Sequence, residues 1–368
     1  MRPSSGFVAP RRTVASRRVL GVMRMIRRLS RNARRVFFRT LSFSVLAIGA
    51  CSPTLADSLV DVGRGPVLVH VPTSYDPGVP TPLVILLHGY SSNSAAIGAF
   101  FNIAPVAEAH GLIYAAPDGT IDAVNNRFWN ATDACCDFNG SGVDDSGYLR
   151  SLVEAIAARY NIDDRRVYFA GLSNGGFMSY RMACDHADLV AGIVSVSGAT
   201  FNNRTDCTPT EPVHVLEIHG TNDSVILYLG NFIFGVPYPS AIQSVETWAG
   251  YNGCGLTAVS PSGSLDLDAN ILGAETTVRQ YPAGCPRGGS AELWTVNGGP
   301  HVLSGTPDFG ELVVQHLLTH QKPQSNTVPG VSEWGLVSLV FLLVISGTLI
   351  LRWISVGGVP SGRIDAQP

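Results

Sequence analysis

The chain has 368 residues, of which 45% are hydrophobic and 14% charged, so one large domain with a sizeable core is available alongside appendages. Its formal net charge of −3 hides an asymmetry: the first forty residues carry 12 arginines and no acid, which leaves 13 basic against 28 acidic residues beyond them. A body that acidic excludes a role on nucleic acid or on an anionic surface.

Residues 1–56 read as an export signal. A basic stretch precedes an apolar run at about 41–50, and small residues follow at Thr54 and Ala56. The run is too short for a membrane span. Three forms of export fit it. Arg34-Arg35-Val36-Phe37-Phe38-Arg39 resembles a twin-arginine signal, the whole reads equally as a plain secretory signal, and Ile48-Gly49-Ala50-Cys51 reads as a lipoprotein box with Cys51 acylated. Met23 and Met25 are alternative starts.

A domain is expected over residues 57–321. Residues 67–71 alternate and stop at Pro72, and a Pro- and Gly-rich connector follows. Residues 83–87 are continuously apolar and stop at His88-Gly89, as suits a strand buried on both faces of a parallel sheet. Residues 112–116 form a similar run, stopped by Pro117-Asp118-Gly119. Leu149, Leu152, Val153 and Ile156 share one helical face, with Asp144 and Asp145 at its start. Residues 167–170 predict a strand, Gly171 to Gly176 a turn, and the following residues a helix. Two more strands are expected at 193–196 and 213–218, then an amphipathic helix at 240–249, a short strand at 293–296 and a closing helix at 312–318. Strands alternating with helices predict a mostly parallel central sheet flanked by helices.

The tail differs in character. Residues 322–333 are a polar linker, residues 334–353 are nearly free of polar side chains and form a transmembrane candidate, and residues 354–368 trail beyond it. Trp334, Arg352 and Trp353 would anchor such a helix at the interfaces.

Seven cysteines are present, and removal of Cys51 with the signal leaves six. An even number in an exported chain predicts disulfides, and Cys254–Cys285 and Cys184–Cys207 are the expected pairs. The adjacent Cys135 and Cys136 suit neither a metal clasp nor a simple bridge, and no C-x-x-C spacing marks a metal site.

In open parallel sheets the chemistry sits beyond the carboxyl ends of the strands. Four predicted strand ends carry polar residues beside glycine: His88-Gly89, Gly171-Leu172-Ser173, His219-Gly220 with Asp223, and Gly299-Pro300-His301. The G-x-S-x-G pattern at Gly171 to Gly175 is weak alone, but a strand before it and a helix after it are what a nucleophile elbow requires. A serine hydroxyl needs a base held by a carboxylate, and the chain order Ser173, Asp223, His301 supplies both. The competing histidines read otherwise: His316 and His320 lie one turn apart on a helix, His186 sits in a surface loop, and His88 and His219 are buried rings bonded to backbone. Asp206 precedes its strand, whereas Asp223 follows it. Backbone amides of Asn174 and Tyr90 are the expected oxyanion donors. Trp129 and Asn130 are candidates for the substrate wall or for core packing. No metal or organic cofactor is needed.

The stretches "PLVILLHGY", "FWNATDACCDFNGSGVDDSGYL", "RVYFAGLSNGGFMSYRMAC", "HGTNDSVILY", "WAGYNGC" and "GGPHVLSG" occur in the order seen in the polyhydroxybutyrate depolymerase-like and feruloyl esterase-like serine esterases. The resemblance covers about residues 67–320. It implies an α/β-hydrolase fold with Ser173, Asp223 and His301 as the triad, acting on a small or polymeric ester. The family commonly follows its histidine with a Trp-Pro-Gly-like turn, whereas Val302-Leu303-Ser304-Gly305 follow His301. The tail resembles the IPTL-type C-terminal sorting signals of envelope proteins, with a sorting enzyme as the implied partner, although its basic cluster is reduced to Arg352. The chain is thus expected to be an exported serine carboxylesterase of the cell envelope, held by its C-terminal helix or released. Its rivals are a catalytically impaired, surface-displayed binding module and a serine peptidase on the same fold.

Overall fold

The computed structural model describes residues 57–281 and 285–323. The expected export signal, most of the expected linker, the apolar segment at 334–353 and the tail lie outside the described residues. Among the described residues no helix is long and apolar enough to cross a membrane.

In chain order the elements are β1 (Ser58–Asp61), β2 (Pro66–His70), β3 (Thr81–Leu87), α1 (Ser94–Phe100), α2 (Ile103–His110), β4 (Ile113–Ala115), β5 (Thr120–Ile121), β6 (Arg127–Phe128), α3 (Asp145–Ala157), β7 (Ile162–Leu172) and α4 (Asn174–Asp185). There follow β8 (Gly192–Val196), β9 (His214–Gly220), β10 (Asn231–Ile233), β11 (Val236–Tyr238), α5 (Ala241–Tyr251), β12 (Ser264–Leu265), β13 (Thr276–Tyr281), β14 (Ala291–Val296) and α6 (Phe309–Thr319).

Ten strands form one sheet in the order β1-β2-β4-β3-β7-β8-β9-β14-β13-β12. The six central strands, from β4 to β14, pair in parallel, and the outer strands on both sides turn antiparallel. This is the α/β-hydrolase fold. The centre is parallel because its strands are apolar on both faces: every residue of β3 and of β8 is buried. Side chains alternate between two cores. Leu83, Ile85 and Leu87 face one core with Phe169 and Trp248, while Val84 and Leu86 face the other with Tyr168, Phe309 and Val313.

Helix starts follow local chemistry. Asp144 accepts the N–H of Gly147 as the N-cap of α3, and Ser240 and Gln243 form a capping box at α5. The expected strands and helices are present, several of them longer than the sequence pattern indicates. Absent from the expectation were β1, the helices α1 and α2, the β5–β6 and β10–β11 hairpins, and the antiparallel β12–β13 edge.

Disulfides join Cys184 to Cys207 and Cys254 to Cys285. The structure also joins Cys135 to Cys136 across a cis peptide, which corrects the expectation that adjacency leaves them unbridged. Both are buried in the core that holds Trp129, so each sulfur is satisfied by its neighbour away from solvent.

Candidate active site

Ser173 sits between β7 and α4 with φ 55° and ψ −120°. A non-glycine residue rarely adopts that conformation, and its presence at the end of a central strand marks an elbow that lifts the side chain off the sheet. The flanking glycines are forced by close approach. A Cβ on Gly175 would lie 1.9 Å from the Leu87 carbonyl oxygen, and one on Gly171 would lie 2.2 Å from the Gly175 carbonyl oxygen.

The structure brings Ser173, Asp223 and His301 together. His301 Nε2 lies 3.0 Å from Ser173 Oγ, and its Nδ1 lies 2.8 Å from Asp223 Oδ2. Asp223 is buried, and its Oδ1 accepts the N–H groups of Val225 and Ile226 at 2.8 and 2.9 Å. Burial alone would raise its pKa, but hydrogen bonds from His219 and His301 and the backbone donors hold it well below the usual carboxylate range. The His301 loop is pinned by its own backbone, since Ser197 Oγ donates to the His301 carbonyl at 2.9 Å. Sequence reasoning missed Ser197. Its only signal is a small hydroxyl residue before glycine at the end of β8.

Gly89 packs against the elbow, because a Cβ there would lie 3.5 Å from that of Ser173. The peptide of Tyr90, the next residue, is therefore beside the serine. Asn174 is the first residue of α4, where a backbone N–H has no partner within the helix. The side chain of Asn174 is fully buried; its Oδ1 accepts the Trp129 N–H at 2.8 Å and its Nδ2 donates to the Trp129 carbonyl at 2.9 Å.

Trp129 is placed at 0% exposure, with Nε1 donating to the His88 carbonyl at 3.1 Å. Its polar atoms are spent on His88 and Asn174, and its ring has no surface left for a substrate wall. Asn130 is half-buried, its N–H on Asp145 at 2.6 Å and its Nδ2 on the Val143 carbonyl at 2.9 Å. His88 is buried and fixed by backbone on both sides: Nε2 accepts the Gly119 N–H at 2.9 Å and Nδ1 donates to the Gly89 carbonyl at 2.8 Å. His186 bonds Ser146 and Arg150, and His316 packs with Trp294 and His320, so neither is near the serine. His219 proves to be more than a buried ring on backbone, because it also faces Glu217 and Asp223.

An aromatic row starts at Tyr90, the residue after Gly89. Tyr90, Phe138 and Phe234 form a row of rings with centroid separations of 5.3 and 4.9 Å. Phe234, at the tip of the β10–β11 hairpin, is 86% exposed and holds a φ of 47°. Val302, beside His301, is also exposed. A cavity of about 1080 Å³ lies elsewhere, lined by Arg64, Tyr114, Asp118, Arg127 and Tyr148, and does not reach Ser173. Among the described residues no cluster of three or more His, Cys, Asp or Glu is arranged to hold a metal ion.

Residues 75–228 match the family model described as "Esterase PHB depolymerase". The chain is 27% identical over 243 residues to a "Feruloyl esterase B" of Piromyces equi, covering 64% of this chain and 42% of that one. It is 34% identical over 119 residues to a "Poly(3-hydroxybutyrate) depolymerase" of Ralstonia pickettii, covering 30% of this chain and 24% of that one. The chain thus spans less than half the length of either relative. Among solved structures it is similar to "Acetyl xylan esterase from Aspergillus awamori", with a TM-score of 0.48 and 17% identity, over 71% of this chain and 98% of that one.

Proposed function

We propose that this chain, whose residues 75–228 carry the Esterase PHB depolymerase domain, is an exported serine carboxylic ester hydrolase. The single observation that carries the reading is the run of contacts from Ser173 through His301 to Asp223 at a strained strand-to-helix turn.

Ser173 Oγ attacks the ester carbonyl while its proton passes to His301 Nε2. Asp223 holds His301 by Nδ1–H and offsets the positive charge that forms. The amides of Tyr90 and Asn174 receive the oxyanion of the tetrahedral intermediate. Collapse expels the alcohol, which takes the proton from His301 Nε2 and leaves an acyl group on Ser173. Water then gives a proton to His301 Nε2 and attacks the acyl carbon, and the acid leaves as Ser173 regains its proton. Every step uses groups of the chain.

The aromatic row from Tyr90 to Phe234 favours esters with an apolar part next to the scissile bond, soluble or in a polymer. Three disulfides among the described residues favour an oxidising compartment, in accord with export by residues 1–56. The apolar segment at 334–353 would hold the domain at the envelope until it is cleaved. A fluorophosphonate probe should label the wild type and leave Ser173→Ala unlabelled. Equal labelling of both proteins would sink the assignment. A panel of acetyl, butyryl, feruloyl and hydroxybutyrate esters on the same preparation ranks the substrates.

A further inference from the structure

A second titratable cluster touches Asp223 from within the core. Glu217 and His219 stand two residues apart on β9, at 0% and 1% exposure. His219 Nδ1 lies 2.9 Å from Glu217 Oε1. His219 Nε2 lies 2.8 Å from the Ile226 carbonyl and 3.3 Å from Asp223 Oδ2. From α4, the Tyr180 hydroxyl donates to Glu217 Oε2 at 3.1 Å. Tyr228 meets the His219 ring edge-on at 5.7 Å, and the Tyr238 hydroxyl accepts the Leu227 N–H. His301 completes the surroundings from the loop after β14.

A count of protons follows from these contacts alone. A carbonyl can only accept, so His219 Nε2 carries hydrogen. One further proton lies between Nδ1 and Glu217 Oε1. On His219 it makes an imidazolium flanked by two carboxylates. Burial disfavours that charge, but the hydrogen bonds to Asp223 and Glu217 outweigh it and hold His219 at about 9; burial raises Glu217 in turn, against the lowering by His219 and Tyr180, and the geometry of the shared proton favours the ionised pair.

We propose that Glu217 and His219 form a buried ion pair that positions Asp223 and fixes the net charge it presents to His301. Asp223, His219 and Glu217 together then carry one negative charge, the same as an isolated aspartate. Asp223 is held in rotation by Val225, Ile226 and His219, and its partner imidazole is held with it. The ion pair touches no substrate and acts through Asp223. The inference rests on reading Ser173, Asp223 and His301 as the hydrolytic triad.

The charge count gives effects of opposite sign. Glu217→Gln keeps an acceptor for Nδ1–H but removes a negative charge, so the acidic limb of kcat/KM against pH moves down by about one unit. His219→Gln leaves two carboxylates with no cation between them, and the limb moves up by a similar amount. The double variant Glu217→Gln/His219→Gln restores the net charge and returns the limb to within about 0.3 units of wild type. A histidine that merely fills space would lower the yield of folded enzyme and leave the limb where it was. The profiles are measured with p-nitrophenyl butyrate on the full chain. Unmoved limbs in folded single variants, or shifts of the same sign, overturn the proposal. Should the single variants not fold, nitrogen-15 shifts of the His219 ring in the wild type decide it. Both nitrogens should bear protons at pH 7, and one bare nitrogen overturns it. Ser173→Ala separates the two levels: if that variant stays active the triad reading itself falls, whereas an inactive Ser173→Ala with unmoved limbs removes only the ion pair.

Discussion

Asn174 is the residue on which the elbow and the neighbouring loop depend together. Its amide group is fully buried and spans both backbone atoms of Trp129, and its Nδ2 also lies 3.5 Å from Cys135 Sγ. Asn174→Leu keeps the branched outline but replaces both polar atoms by larger methyl groups, so those bonds are lost and no room is left for a compensating water. The Trp129 N–H is then orphaned in the core, which costs about 1–3 kcal/mol. The Trp129 carbonyl keeps the Cys136 N–H at 3.3 Å and loses one of its two donors, a further loss of about 1 kcal/mol. We expect a destabilisation of about 2–4 kcal/mol, read as a shift in urea midpoint with unchanged m-value by tryptophan fluorescence. Asn174→Asp should also destabilise, because a carboxylate accepts the Trp129 N–H but repels its carbonyl. In folded Asn174→Leu, kcat should fall while KM changes less, since the amide of residue 174 is displaced rather than the substrate wall. A loss below about 0.5 kcal/mol in Asn174→Leu would mean that Trp129 finds other partners, and the reasoning would fail.

Ser173→Ala should lower kcat by about four orders of magnitude or more with the urea midpoint retained; His301→Ala should be nearly as harmful and Asp223→Asn somewhat less so. Comparable damage from His316→Ala or Asp206→Asn would point to a different set of residues. Stability should decline as pH rises from about 6.5 towards 9, because His219 is raised to about 9 when folded, so its contribution is complete below its unfolded value near 6.5 and is lost through 9. A urea midpoint that holds steady across that range contradicts the sign. Gly220→Ala would place a Cβ 2.1 Å from the Gly299 carbonyl oxygen and drive the His301 loop from Asp223; activity should drop at least a hundredfold, whereas Gly235→Ala, with nothing within 4 Å of its Cβ, should cost stability through its φ of +87° and leave kcat nearly intact. Ending the chain at Gln321 should release active protein from the membrane fraction of expressing cells; equal solubility of the uncleaved full chain would show that the apolar tail is not an anchor.

The central strands were legible because burial on both faces leaves an unbroken apolar run, as in the seven residues of β3, and because a glycine follows each run within a few residues. The helix α5 was legible through Ile242, Val245 and Trp248, which recur at helical spacing. The edges were not. Strand β13 is exposed or half-buried at four of six positions, so its pattern carries little signal. Helices α1 and α2 are built largely from alanine, glycine and short runs, too little for a clear stripe. The β10–β11 hairpin was hidden by Phe234, which sits at a positive φ where asparagine or glycine would announce a turn. In the site, the serine, the acid and the histidine each ended a readable strand. The pairing of Glu217 with His219 was not readable, because a glutamate inside an apolar strand shows its partner only when the chain is folded. Trp129 stayed open between substrate wall and core packing for the same reason, and only its burial in the fold decides for packing.

The loops that carry these residues come from four separate strands, yet their polar atoms meet within hydrogen-bonding distance. Bare backbone makes this possible. Gly175 lies against the end of β3, Gly89 against the elbow, Gly119 against Phe128, and Gly220 against Gly299, each so close that a side chain would collide or crowd. Each contact ties the carboxyl end of one strand to the loop of another. The Ser173–His301 distance of 3.0 Å is therefore set by backbone rather than by flexible side chains. A hydroxyl that must meet its base within a few tenths of an ångström gains more from such contacts than from packing, which allows side chains to shift. The same logic places the ion pair on β9. Glu217 and His219 belong to the strand that delivers Asp223, so the charge behind the carboxylate is as rigid as the sheet, whereas Phe234, at the outer end of the aromatic row, stands on an exposed hairpin tip.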